Sequence, residues 1–192
     1  GIKPILGSVI RLNDAEHRAT LFAMSSKGWR NLTEIVSRGF IEGQQLSIPC
    51  VQKEWILEQS EDLIVLLGQH SDVGKMLCSS NPQKAEPLLE TWIEKFGNRV
   101  YLALSRTERT GEEDFIQQAV KLAAKYQIGV VAHNDVHFIE QDDFEAHEAR
   151  VCIADGYVLG DDKRPKNYST EQYFKTGEQM SELFSDIPSA IE

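Results

Sequence analysis

The stretch Leu63-Ile64-Val65-Leu66-Leu67-Gly68 decides the architecture. It is an unbroken apolar run closed by glycine, with no polar alternation. Such a run suits a strand buried on both faces, as in a parallel sheet covered by helices. Working outward, Arg99-Val100-Tyr101-Leu102-Ala103-Leu104 reads the same way, and Gly129 opens a further strand that runs through Val130-Val131-Ala132. The segments between these runs have helical spacing. Leu88, Leu89, Trp92, Ile93 and Phe96 form one apolar stripe; Phe115, Ile116, Ala119, Val120, Leu122 and Ala123 form another in a helix beginning near Glu112. Strand–helix alternation of this kind predicts an α/β fold with a largely parallel sheet, its strand C-termini gathered on one side.

Upstream, residues 2–10 read as a short extended segment limited by Pro4 and Gly7. Asn13-Asp14 marks a turn, and residues 19–24 form a strand. From Trp29 the pattern turns helical, with Leu32, Ile35, Val36 and Phe40 on one face and Gly43 as the stop. Residues 54–57 suggest a short helix. Asp72 is placed to cap a helix through Leu77, and Asn81-Pro82 to start the next, which Gly97-Asn98 ends. Downstream, residues 141–153 read as a helix and residues 156–160 as a loop. Ser169 and Thr176 are N-cap candidates, the latter with Gln179 at the reciprocal capping position before a Met180, Leu183, Phe184 stripe. Four or five strands result, enough for a small open sheet and too few for a closed barrel.

The 192 residues, 41% hydrophobic and 26% charged, describe an ordinary globular chain of one domain, or one domain with an appendage. The formal charge is −10. Binding to a phosphate backbone needs clustered Lys and Arg, and the only such cluster, Lys163-Arg164-Pro165-Lys166, follows Asp161-Asp162; little direct DNA binding is expected. No segment has the length to span a bilayer and no signal sequence opens the chain, so no membrane association is expected. Three cysteines, Cys50, Cys78 and Cys152, are odd in number and far apart, which argues against a disulfide framework and fits a reducing cytoplasm. The start at Gly1-Ile2-Lys3-Pro4, without Met, leads us to expect a piece of a longer protein.

No Gly-rich phosphate loop, G-x-S-x-G or H-E-x-x-H motif occurs. Chemistry therefore falls to the histidines. In Ile128-Gly129-Val130-Val131-Ala132-His133-Asn134-Asp135-Val136-His137-Phe138 an apolar run ends abruptly in polar residues, where strands of such folds hand over to functional loops. Asp135 and His137, two apart, point the same way if the chain stays extended. With His70, two residues beyond the Leu63–Gly68 run, and with His133, they could hold zinc or manganese. The alternative is that Asp135 caps a turn and His137 packs or faces solvent; an isolated D-x-H is a weak motif, so spacing alone favours this alternative. His147 and Glu148 read as structural or exposed residues of a helix, His17 as a solvated turn residue, and residues 161–168 as a solvated loop.

Several phrases together resemble a known family. Gly1-Ile2-Lys3-Pro4-Ile5-Leu6-Gly7, Lys27-Gly28-Trp29-Arg30-Asn31-Leu32, Val131-Ala132-His133-Asn134-Asp135-Val136-His137-Phe138, Asp143-Phe144-Glu145-Ala146-His147-Glu148-Ala149-Arg150 and Lys163-Arg164-Pro165-Lys166-Asn167-Tyr168-Ser169 are similar, in order and spacing, to the PHP domain of bacterial DNA polymerase III alpha subunits. The resemblance covers essentially all of residues 1–192, as a single domain. It implies a distorted TIM-like β/α barrel, here incomplete, because the family's first strands, with their H-x-H, lie upstream of Gly-Ile-Lys-Pro. It also implies metal ligands at positions that here carry Val9, Arg18 and Gln69; only Asp135 and His137 match the family's final metal motif. An apolar side chain cannot coordinate a cation and an arginine repels one.

The resemblance thus implies a structural and subunit-interaction module of a DNA-directed DNA polymerase, a nucleotidyltransferase. Its metal site would be degenerate, with Asp135 and His137 as a remnant and His70 as a speculative third ligand. The parent polymerase would use magnesium; the piece itself would need no cofactor, or zinc or manganese if the remnant binds. Expected partners are the polymerase body, the proofreading exonuclease subunit and other replicase subunits, with self-association through an uncovered sheet edge. The alternative is a residual metal-dependent phosphoesterase acting on pyrophosphate or a 3′ end.

Overall fold

β-Branched and aromatic residues concentrate in the short runs that become strands, and polar breakers separate them. In the computed structural model, which describes residues 1–12, 16–45 and 47–191, the elements follow in order. These are β1 (Gly7–Leu12), β2 (His17–Ala23), α1 (Ser26–Ile41), a small hairpin of β3 (Gln44–Gln45) and β4 (Ile48–Pro49), α2 (Lys53–Glu58) and β5 (Leu63–Leu67). Then come α3 (Asp72–Leu77), α4 (Ala85–Phe96), β6 (Val100–Leu104), α5 (Glu112–Tyr126), β7 (Gly129–Ala132), α6 (Phe144–Asp155) and α7 (Gly177–Leu183). The turn expected at Asn13-Asp14 lies outside the described residues.

The main sheet is five-stranded, in the order β1-β2-β5-β6-β7. β1–β2 and β2–β5 pair antiparallel, and β5–β6 and β6–β7 pair parallel. Four strands therefore run one way and β2 alone runs against them. The reversal has a local cause: β1 and β2 are consecutive with only a short connection, and such a pair forms a hairpin. After β2, α1, the small hairpin and α2 return the chain so that β5 starts beside the end of β2, with Ala23 opposite Leu63 and Met24 N–H donating to the Asp62 carbonyl at 2.9 Å. The sheet is open among the described residues; no barrel closes. The largely parallel expectation thus holds for strand direction, while only half of the strand pairings are parallel.

One face of this sheet carries the core. Leu21, Leu63, Val65, Leu67, Leu102 and Leu104 are fully buried against Leu32 and Ile35 of α1, Leu89, Trp92 and Phe96 of α4, and Phe115 and Ala119 of α5. The other face, with Val9, Thr20 and Leu66, is not covered by a helical layer: β5 alternates fully buried and half-buried residues. The expectation that residues 63–68 are buried on both faces is corrected accordingly. A Cβ at Gly129, on this second face, would come within 2.7 Å of the Tyr101 ring, which would have to shift to admit it.

Other local expectations change for identifiable reasons. β1 starts at Gly7 and continues past Ile10. Phe40, at the end of α1, is exposed and not part of the buried face. Ser71, not Asp72, caps α3: its hydroxyl accepts from Gly74 N–H at 2.9 Å, leaving the Asp72 carboxylate for Lys53 Nζ at 2.7 Å and the Trp92 indole. Asn81 makes no side-chain cap; Pro82 opens a single 3₁₀ turn that leads into α4. Ser169 starts no helix. Thr176 does cap α7, reciprocally with Gln179. The two buried cysteines, Cys50 and Cys152, and the exposed Cys78 are all free thiols. Among the described residues no helix is long and apolar enough to cross a membrane.

Candidate functional site

The reversed β2 brings its first residues to the edge of the sheet where β5, β6 and β7 end. Arg18 N–H donates to the His70 carbonyl at 2.8 Å, tying β2 to the loop after β5. That loop is held by Ser71, whose hydroxyl also donates to the Gly68 carbonyl at 2.8 Å. The result is a cavity of about 130 Å³ bordered by Val9, Arg18, Gln69, His70, Arg109, His133 and Asp135. An adjoining, wider one of about 320 Å³ adds Glu16, Lys75, His137 and Tyr168. Asp135, His137, His70 and His133 are thus brought to one mouth, together with the Val9, Arg18 and Gln69 positions where the resemblance places lost ligands.

Asp135 is not free. Its Oδ2 lies 3.0 Å from Arg109 Nη2 and accepts from Gln172 Nε2 at 3.0 Å, while His137 Nε2 stands 3.6 Å from Oδ1. Arg109 is itself positioned from below. The carboxylate of Glu112, only 4% exposed, accepts from Thr107 N–H at 2.6 Å, Thr107 Oγ1 at 2.7 Å and Arg109 N–H at 3.2 Å, and Arg109 Nε donates to Thr107 Oγ1 at 2.9 Å. A buried carboxylate thus holds the loop after β6 in the shape that delivers Arg109 to Asp135.

Two histidines here are driven toward the neutral form. Burial pulls the His70 imidazole below its usual range, and the Arg109 and Arg18 guanidiniums pull it further. His133 is also lowered, by burial first; Asp135 works against the shift and Arg109 with it. The His137 ring also packs against two others, its centroid 4.8 Å from that of Tyr168 and 5.3 Å from that of His147. His147 proves to be buried. Neither of its ring nitrogens has a hydrogen-bond partner among the described residues, and its ring meets Tyr168 edge-on at 4.5 Å; burial lowers its pKa. Glu148 beside it is buried and paired with Arg164. Residues 161–168 are therefore more than a solvated loop, since Arg164 and Tyr168 both reach inward. His17 opens β2 and does not sit in the turn.

Among the described residues no group of three His, Cys, Asp or Glu side chains is arranged to hold a metal, and two guanidiniums border the space a cation would enter. Sequence reasoning missed Arg109, Glu112 and Gln172. Arg109 and Glu112 belong to a charged loop and helix start whose spacing matches no motif, and Gln172 stands beyond Ser169, in a segment expected to be helical.

An open, mostly parallel α/β sheet with a His- and Asp-bearing mouth at its strand ends is the class of protein this geometry defines. Family comparison matches residues 1–107 to the PHP domain, and the chain belongs to that family. Over its whole length it is 45% identical to a protein named DNA polymerase III subunit alpha from Pseudomonas fluorescens, 42% to that of Haemophilus influenzae and 41% to that of Escherichia coli K12. The chain spans about 17% of the length of each of these relatives.

Proposed function

We propose that the chain is the PHP portion of a cytoplasmic, replicative DNA polymerase large subunit, and that it serves there as a structural and subunit-docking module, not as a hydrolase. DNA-directed DNA synthesis, with its magnesium requirement, belongs on this reading to the parent polymerase. The polymerase body, the proofreading exonuclease subunit and other replicase subunits are the partners. A single domain over residues 1–192 is supported by β7, which lies beyond the family match yet extends the same parallel ladder. A docking role is supported by large apolar side chains left in solvent, among them Ile139, Ile153 and Phe174.

The observation that carries the non-catalytic reading is the Arg109–Asp135 ion pair. A carboxylate that is to bind and activate a metal-bound water cannot also neutralise a guanidinium without losing much of its attraction for the cation. The phosphoesterase alternative would have to work with Asp135, His137 and His70 against that pairing. Hydrolysis of pyrophosphate and of a 3′-phosphorylated oligonucleotide with manganese or zinc is the test. The reading predicts no turnover above the buffer rate, and turnover abolished by Asp135→Asn would overturn it.

A further inference from the structure

Between Arg164, which pairs with Glu148 of α6, and Thr176, which caps α7, the chain forms no helix or strand; its one β-bridge joins Tyr173 to Phe138. The ties that hold this stretch to the rest of the molecule are hydrogen bonds. Ser169 donates its hydroxyl to the Thr107 carbonyl. Gln172, fully buried, gives its side-chain amide to Asp135 Oδ2 at 3.0 Å, and its backbone carbonyl accepts from His137 N–H at 2.8 Å. Asn134 Nδ2 donates to the Tyr173 carbonyl at 2.7 Å, and Phe174 N–H to the Phe138 carbonyl at 3.0 Å. Phe174 itself points its apolar side chain into solvent, whereas Phe184 and Ala190 further on join the core. A segment held by polar ties, with little apolar burial of its own, belongs to the low end of local stability.

Beneath this stretch lies a group that the closed arrangement leaves unsatisfied. Tyr168 meets the His147 ring edge-on, with centroids 4.5 Å apart, and Phe138 and His137 pack on it at 5.5 and 5.3 Å. His147 is only 6% exposed, and neither ring nitrogen has a hydrogen-bond partner among the described residues. A neutral imidazole carries one donor and one acceptor, and burying them unpaired costs free energy that contact with water restores. Closure therefore satisfies Gln172 and Asn134, whereas opening satisfies His147. We infer that residues 165–176 form a releasable strap, which lifts as one unit, uncovers the rings of Phe138 and His147, and withdraws Gln172 from Asp135. His147 is the residue that keeps the covered state only marginally favoured. Ser169 rests on Thr107, whose N–H and hydroxyl are held by Glu112, so the strap is tied directly to the loop that carries Arg109.

Native-state amide hydrogen exchange of the chain, read residue by residue by NMR, tests the strap. The His137 and Phe174 amides, which donate across its boundary, should exchange through one common opening, at least about 10-fold faster than the amides of β5 and β6. Gln172→Ala removes the ties to Asp135 and to Ser169 N–H; it should quicken both amides roughly 10-fold or more and leave β5 and β6 unchanged. His147→Phe keeps a ring and removes the unsatisfied nitrogens. It should slow both amides roughly 5-fold or more, the opposite of what disturbing a satisfied core residue does. His147→Leu, smaller than the ring, guards against overpacking in that variant. Slowing in either variant supports the strap, and acceleration or no change in both overturns it. Exchange of His137 and Phe174 at unrelated rates, or only together with β5 and β6, would overturn it too.

Discussion

On one face of the sheet Leu21, Leu63, Val65, Leu67, Leu102 and Leu104 are fully buried; on the other, Val9, Thr20 and Leu66 border a cavity. The strands are the same and the side chains alternate between them, so the difference lies in what covers each face. Helices α1, α4 and α5 seal the first, and there apolar volume is the only requirement. The second is uncovered and its rim is polar, so charge and hydrogen bonding decide what a residue does there. The comparison separates a face sealed by helices, which carries the core, from an open face that carries the polar mouth.

The largest effect that sharpens this contrast is on neighbouring leucines of β5. Leu67→Ala on the sealed face should cost about 3 kcal/mol, as transfer and cavity terms add, whereas Leu66→Ala opens onto space that water already reaches and should cost about 1 kcal/mol. Chemical denaturation with the two-state slope held constant measures both, and equal losses would break the distinction. Next is Glu112→Ala. Although remote from the sealed face, it strands the Thr107 N–H and frees Arg109, at an expected cost of about 2 to 3 kcal/mol in the same experiment.

A smaller effect is predicted where residues 184–190 close over β7. Arg106 binds Asp186 at 2.6 Å and Glu113 at 2.8 Å, and its hydrogen bond to Asp186 holds that carboxyl below the usual carboxylate range. The sign follows from linkage: the contribution is fully present above the ordinary carboxylate pKa and fades as pH falls through the lowered one. Because the Asp186 side chain is largely exposed, Asp186→Asn should cost no more than about 0.5 kcal/mol at neutral pH and less in high salt. A loss that grows on acidification would contradict the assignment. Weakest of all should be the sheet edge. Among the described residues the outer side of β1 pairs only in a single bridge of Leu12 with Val51, whose N–H donates to the Arg11 carbonyl, and an edge of that kind recruits other strands. Concentration-dependent self-association should appear in light scattering, and a monomer at all concentrations would count against it.

Much of the sheet was legible in the sequence because burial writes itself as apolar periodicity: β5, β6 and α5 lie within a residue or two of their expected positions, while α4 begins three residues after the expected start, behind a 3₁₀ turn. The reversal of β2 was not, since strand direction depends on connection geometry and not on composition. Nor was the half-open state of residues 63–67, because an apolar run looks the same beneath one layer of helices as beneath two. The site was legible only in outline. Asp135, His137 and His70 could be named from strand ends, but Arg109 arrives by way of a buried Glu112 and a loop shape that no spacing encodes. Ser169 looked like a helix cap and instead donates to the Thr107 carbonyl across 62 positions of sequence.

The central claim is that guanidinium has taken the place of cation at the strand ends. Calorimetric titration of the chain with manganese and zinc addresses it most directly. With Asp135 paired to Arg109, the account predicts no stoichiometric binding and no difference between the chain and its Asp135→Asn variant. Tight stoichiometric binding that Asp135→Asn abolishes would contradict it.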